Sequence, residues 1–233
     1  MKINGILKHQ LFEPLLLLGL FYLPGFLQQW QATDFSMMNS LRFQLIYIVT
    51  VIPQILLTLY LMKCSPVNSA LIPEDSEWKK FYGLKKFSVN SLVAVILLFI
   101  AIWIYVTTVS LLLSGRSQGA EQDTRHWIMS SKPALMLFIF TSQFTGWSEE
   151  LFFRGFLLKR ALHKNIQPGW VILVVTIIFA SLHFYQGVNG VLITGGIGLI
   201  LALYYLKTGD LTSVAITHGL YNLSVLFLSF SLG

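Results

Sequence analysis

The stretch SVNSLVAVILLFIAIWIYVTTVSLLL, residues 88–113, decides the fold class. No Asp, Glu, Lys or Arg interrupts it between Phe87 and Ser114. About 20 mostly apolar residues in a helix are enough to cross ~30 Å of hydrocarbon. On either side of it, further apolar runs cover Leu11–Leu27, Leu45–Met62, Pro133–Leu158, Trp170–Phe184, Val188–Leu206 and Leu211–Phe230. The expected fold is all-α: a polytopic membrane bundle of about seven (six to eight) transmembrane helices. The chain reads as a single integral membrane domain, with motif-free spans over 1–131 and chemistry-bearing spans over 132–233. The polar connections Lys63–Phe87 and Gly115–Lys132 are too short for a second domain.

Composition agrees with that reading. The 233 residues are 55% hydrophobic and 11% charged, with a mean hydropathy of +0.69. Soluble domains carry about a quarter of their residues as charges. The net charge of +6 comes from Lys and Arg set between apolar runs. It therefore signals membrane orientation and excludes a nucleic-acid groove. The single cysteine, Cys64, permits no internal disulfide and no cysteine-rich zinc site. The N-terminal apolar run lacks a small-residue cleavage site and is expected to be a retained span.

Loop charge gives a predicted orientation. Lys2, Lys8, Lys63, Lys79, Lys80, Lys85, Lys86, Lys159, Arg160, Lys164 and Lys207 fall on the side of the N-terminus. Arg42, Arg116, Arg125 and Lys132 fall on the other. Positive residues favour the cytoplasm, so the N-terminus is expected inside and, with seven spans, the C-terminus outside. The expected location is the plasma membrane of a bacterium. In the sixth span Gly190, Thr194 and Gly198 recur every four residues, beside Gly195 and Gly196. Small residues on one face let helices approach closely in lipid, so a packing role is expected for them.

Ionisable groups inside spans are costly and mark candidate sites. In Glu149-Glu150-Leu151-Phe152-Phe153-Arg154, Glu150 and Arg154 lie four apart and can pair on a helix. Glu149 points about 100° away and has no such local partner. By itself this segment reads equally well as a membrane-surface stretch leading into Lys159 and Arg160. His183 closes Phe179-Ala180-Ser181-Leu182-His183, late in the fifth span, where a lone histidine is more often packed than functional. His218 and Asn222 share one face of the seventh span, and interhelical hydrogen bonding is the alternative there. Together the groups are those hydrolysis requires. A carboxylate takes a proton from water, a histidine orients it, and a histidine with an amide stabilises an oxyanion. No GxSxG, GxxxxGK[ST] or HExxH motif is present.

EExxxR at Glu149–Arg154, FxxxH at Phe179–His183 and HxxxN at His218–Asn222 resemble, in order, the signature motifs of the CPBP family. That is the CAAX protease and bacteriocin-processing (Abi) group, which includes the Ras-converting-type CAAX endopeptidases. Gly155 after Arg154 and the phrase Thr208-Gly209-Asp210-Leu211 also resemble the family's context. The resemblance covers Trp147 to Leu223. It implies an intramembrane endopeptidase acting on a peptide or protein with a lipidated or hydrophobic segment, embedded in membrane lipid and without nucleic acid. It further implies that Glu149 and His183 activate the attacking water and that His218 and Asn222 polarise the carbonyl. Glu150, Arg154 and Phe179 would support them. Glu149, His183 and His218 could instead ligate Zn²⁺ with a water in the fourth position; no tightly bound cofactor is the reading taken. The alternatives from other classes are a catalytically silent membrane adaptor or immunity protein that binds a substrate tail, and a proton-coupled carrier.

One tension remains in this topology. At ~1.5 Å per residue, Glu149 and His218 lie roughly 12–14 Å from the cytosolic ends of their spans, and His183 about 20 Å in. The turn Tyr185–Gly190 is therefore expected to be buried at membrane depth, lining a polar cavity open to the cytosol.

Overall fold

The structure is a computed structural model that describes residues 10–24, 40–114, 131–163 and 167–231. Helix α1 (Phe12–Leu17) runs into a π-helical turn at Leu18–Tyr22. Helix α2 covers Leu41–Cys64, and the short α3 (Asn68–Leu71) and α4 (Trp78–Tyr82) lead to α5 (Val89–Ser114). Helix α6 (Lys132–Glu150) continues as a π-helix over Leu151–Leu158 and ends in α7 (Lys159–Ala161). Helix α8 (Pro168–Ser181) has only 14 residues. A 3₁₀ turn (Phe184–Gln186) then leads into α9 (Gly187–Thr208), followed by α10 (Leu211–Ser231). No strand occurs among the described residues. Each predicted apolar run corresponds to a helix. Leu41–Cys64, Val89–Leu113 and Phe184–Thr208 are long and apolar enough to cross a membrane, and the chain is an integral membrane protein.

Local chemistry sets the helix boundaries. Ser40 and Ser131 cap α2 and α6, accepting from Phe43 N at 3.1 Å and Ala134 N at 3.3 Å. Gly209 closes α9 in the left-handed region at φ 59°, which glycine adopts without steric cost. Asp210 then caps α10, accepting from Ser213 N at 3.1 Å. The phrase Thr208–Leu211 is thus a stop signal followed directly by a start signal.

Most of the predicted N-terminal-side charges gather at one end of the bundle. There Leu211 N donates to Gly83 O at 2.9 Å and Lys85 Nζ to Thr208 O at 2.8 Å, while Tyr205 hydroxyl donates to Tyr82 O at 3.0 Å. Lys2, Lys8, Lys164, Arg116 and Arg125 lie outside the described residues. Arg160 departs from the expectation that it is a loop charge. It is fully buried, paired with Glu13 at 2.5 Å, donates to Asn68 Oδ1 at 3.1 Å and lies over the Phe156 ring at 4.2 Å. This arginine fastens the first helix to the end of α7, where Gln10 Nε2 also donates to Arg160 O at 2.8 Å.

The core is densest around the π-helical segment. Phe152, Phe153, Phe156, Leu158, Phe179, Leu201 and Leu211 are almost wholly buried there. The α2–α6 seam is polar instead. Thr141 hydroxyl donates to Gln44 Oε1 at 2.7 Å, Tyr47 and Thr145 hydroxyls meet at 2.9 Å, and Ser148 donates to Gln54 Oε1 at 3.3 Å. In lipid, hydrogen bonds of this kind substitute for the hydrophobic effect as glue between helices.

The glycines of α9 serve packing. A Cβ on Gly198 would come 2.8 Å from the Phe179 ring and 3.1 Å from Arg154 Nη2, and one on Gly196 would collide with Tyr105. In the turn Tyr185–Gly190 after α8, Gly187, Val188 and Asn189 are exposed, Tyr185 and Gln186 are half-buried and Gly190 is buried. His183 reaches the site because α8 stops early, at Ser181.

Candidate active site

The site forms where α6 and α10 cross. Gly146 lies one turn before Glu149 and Glu150, and Gly219 directly follows His218. A Cβ on Gly146 would come 2.5 Å from Gly219 N and 2.8 Å from Ala215 O. Two helix backbones therefore touch, and the carboxylates of one are brought against the imidazole of the other.

Glu150 is fully buried and organises the cluster. Its Oε1 accepts from Arg154 Nη1 at 2.7 Å, one helical turn along, and meets His218 Nδ1 at 2.7 Å. Arg154 Nη2 donates to Gly198 O at 2.8 Å, and the guanidinium lies over the Phe179 ring at 4.5 Å. The expected Glu150–Arg154 pair is present, with two added connections, to α9 through Gly198 and to α10 through His218. A buried ion pair repays its desolvation only when its remaining polar atoms also find partners; Gly198 O takes Arg154 Nη2, while Glu150 Oε2 has no hydrogen-bond partner among the described residues. The ridge continues without a break into the π-helix at Leu151, a conformation common beside functional sites.

With Nδ1 engaged by Glu150, His218 turns its Nε2 edge toward Glu149, whose Oε2 lies 3.7 Å away. Glu149 Oε2 has no hydrogen-bond partner among the described residues. Tyr22, Tyr47 and Tyr185 are close enough to interact with the charge on Glu149. Two of these phenols come from the spans in which the sequence shows no motif.

His183 stands on the other side of Phe179. The two rings are 5.1 Å apart, and Phe179 and His218 are 6.0 Å apart edge to face. His183 Nδ1 lies 3.1 Å from Phe179 O. A carbonyl can only accept, so Nδ1 carries the proton and Nε2 presents a lone pair. Asn222 lies one turn beyond His218, is half-buried, and makes no side-chain hydrogen bond among the described residues.

Glu149, Glu150, Arg154, Phe179, His183 and His218 thus converge, with Asn222 on the same face as His218. No local pattern points to the Glu150–His218 bond, because spacing cannot show contacts between distant helices. Gly146 and Gly219, each a few residues from a motif acid or histidine, were the signals available for the helix crossing. Among the described residues no three His, Cys, Asp or Glu side chains are arranged to hold a metal ion.

No curated protein and no solved structure shows a significant match to the chain. A family model described as Type II CAAX prenyl endopeptidase Rce1-like matches residues 131–224, a segment that contains all three motifs. That segment, with its acid-and-histidine cluster at the α6–α10 crossing, is similar to the Rce1-like family of CAAX proteases.

Proposed function

We propose that this chain is an intramembrane endopeptidase that hydrolyses a peptide bond in a membrane-associated peptide or lipidated C-terminal tail. The observation that carries this reading is Glu149 beside His218 at 3.7 Å, with His183 close by across Phe179. In the proposed reaction, water donates one hydrogen bond to Glu149 and another to the lone pair on His183 Nε2. Glu149 takes the water proton as its oxygen attacks the carbonyl carbon. His218, held by Glu150, and Asn222 face the developing oxyanion. When the carbon–nitrogen bond breaks, Glu149 passes its proton to the departing amine. Glu150, Arg154 and Phe179 fix the orientation of the two histidines, and no step passes through a metal.

Similarity of residues 131–224 to the Rce1-like family supports a CAAX-type substrate, and the apolar surroundings suit a lipidated or hydrophobic segment. Charge asymmetry supports a cytoplasmic basic end and N-terminus in a bacterial plasma membrane. The test is product identification by mass spectrometry from a library of prenylated CAAX and leader-type peptides, comparing the wild type with Glu149→Gln. The expected loss is at least the ~10²–10⁴-fold typical of a removed acid–base group. Unchanged turnover by a folded Glu149→Gln protein would overturn the reading in favour of a substrate-binding adaptor.

A further inference from the structure

Carboxylates that accept hydrogen bonds are weaker bases than those that do not. A general base therefore works best when its lone pairs are left for water. Three phenols, Tyr22, Tyr47 and Tyr185, lie within electrostatic reach of Glu149, yet its Oε2 accepts no bond from them among the described residues. Proton counting explains this for the two that come from the N-terminal spans.

Thr145 has one hydroxyl proton, and it goes to Thr141 O at 2.7 Å. The 2.9 Å contact between Tyr47 and Thr145 hydroxyls must then run from Tyr47 to Thr145. Tyr22 likewise directs its proton to the carbonyl oxygen of Ser148, at 3.4 Å. Thr145 is four residues before Glu149, so the two share one face of α6 and the Tyr47 hydroxyl sits a single turn from the carboxylate.

We propose that Thr145 is a positioning residue. Its oxygen holds the Tyr47 proton one helical turn away from Glu149 and leaves that carboxylate open to the attacking water. The inference rests on Glu149 acting as the base, and it gives the motif-free span α2 a part in the proposed reaction. Thr145→Val keeps the side-chain shape and removes the acceptor, which releases the Tyr47 hydroxyl to turn toward Glu149. Thr145 acts through Tyr47 and touches no reacting atom.

The experiment measures kcat and KM for the full chain in detergent or nanodiscs. It uses the cleaved peptide identified above and compares wild type, Thr145→Val, Tyr47→Phe/Thr145→Val and Glu149→Gln. Thr145→Val is expected to lower kcat about 10-fold or more with little change in KM, as expected for one misplaced hydrogen bond to a charged group. The double variant, which has no phenolic proton to misplace, is expected to recover most of that loss. If the slow single variant also melts earlier, Thr145→Ala with and without Tyr47→Phe repeats the comparison. An unaffected Thr145→Val protein, or a double variant as slow as the single one, overturns the inference. Those results with an inactive Glu149→Gln would leave the proposed function standing, whereas an active Glu149→Gln would overturn both.

Discussion

Gly146 and Gly219 meet backbone to backbone, with room for no side chain between them: a Cβ on Gly146 would approach Gly219 N to 2.5 Å. This single crossing sets the separation between Glu149 and Glu150 on one helix and His218 on the other. Gly146→Ala is expected to push α6 and α10 apart at a stability cost of about 1–3 kcal/mol. Cleavage should fall at least 10-fold even in protein that inserts normally. Thermal melting in detergent alongside a cleavage assay checks this, and wild-type values in both would contradict the role given to the crossing.

Glu150 and Arg154 should behave as one unit. Arg154→Met strands a buried carboxylate, a change that typically costs about 3–5 kcal/mol, so little folded protein is expected. Glu150→Gln combined with Arg154→Met removes both charges and should recover much of the stability. Activity should stay low in the double variant, because His218 has lost the carboxylate that fixes its ring. Recovery of both properties would mean that the pair only fills space.

Gly198 tests the link between α9 and the site. Gly198→Ala places a methyl 2.8 Å from Phe179 Cδ1 and 3.1 Å from Arg154 Nη2, atoms that belong to the wall between the two histidines. Turnover is expected to drop several-fold while membrane insertion is retained. Gly195→Ala meets only Ala180 Cβ at 3.3 Å and should be much milder, so equal effects in an activity comparison would rule out a specific role for Gly198.

Orientation can be read from the native thiol. Cys64 is exposed at the basic end of the bundle, which the proposed orientation puts in the cytoplasm. A membrane-impermeant maleimide should label it in inverted vesicles and leave it unlabelled in intact cells. The opposite pattern would reverse the assignment of sides.

Local signals in the sequence located every long helix. The uncharged run 88–113 and its neighbours need no tertiary information, because a helix in lipid must satisfy its backbone internally and declares itself by length alone. Helical spacing likewise revealed the Glu150–Arg154 pair. What stayed hidden depends on how helices meet. Arg160, counted from sequence as a loop charge, is buried against Glu13 and Asn68, each distant in the chain. The turn Tyr185–Gly190 after α8, uncharged and with two glycines, is exposed only at Gly187, Val188 and Asn189, while Gly190 is buried. Tyr22 and Tyr47 carried no motif, and only the packing of the turn after α1 and of α2 against α6 brings them within electrostatic reach of Glu149.

The brevity of α8 has a consequence for the surrounding lipid. Fourteen residues span about 21 Å, while an average hydrocarbon slab is ~30 Å thick. Around this helix the bilayer must pinch, or headgroups and solvent must dip inward, to cover the deficit. The protein would then carry its own local dent, and the proposed turnover should vary with acyl-chain length, faster in thin membranes than in thick ones.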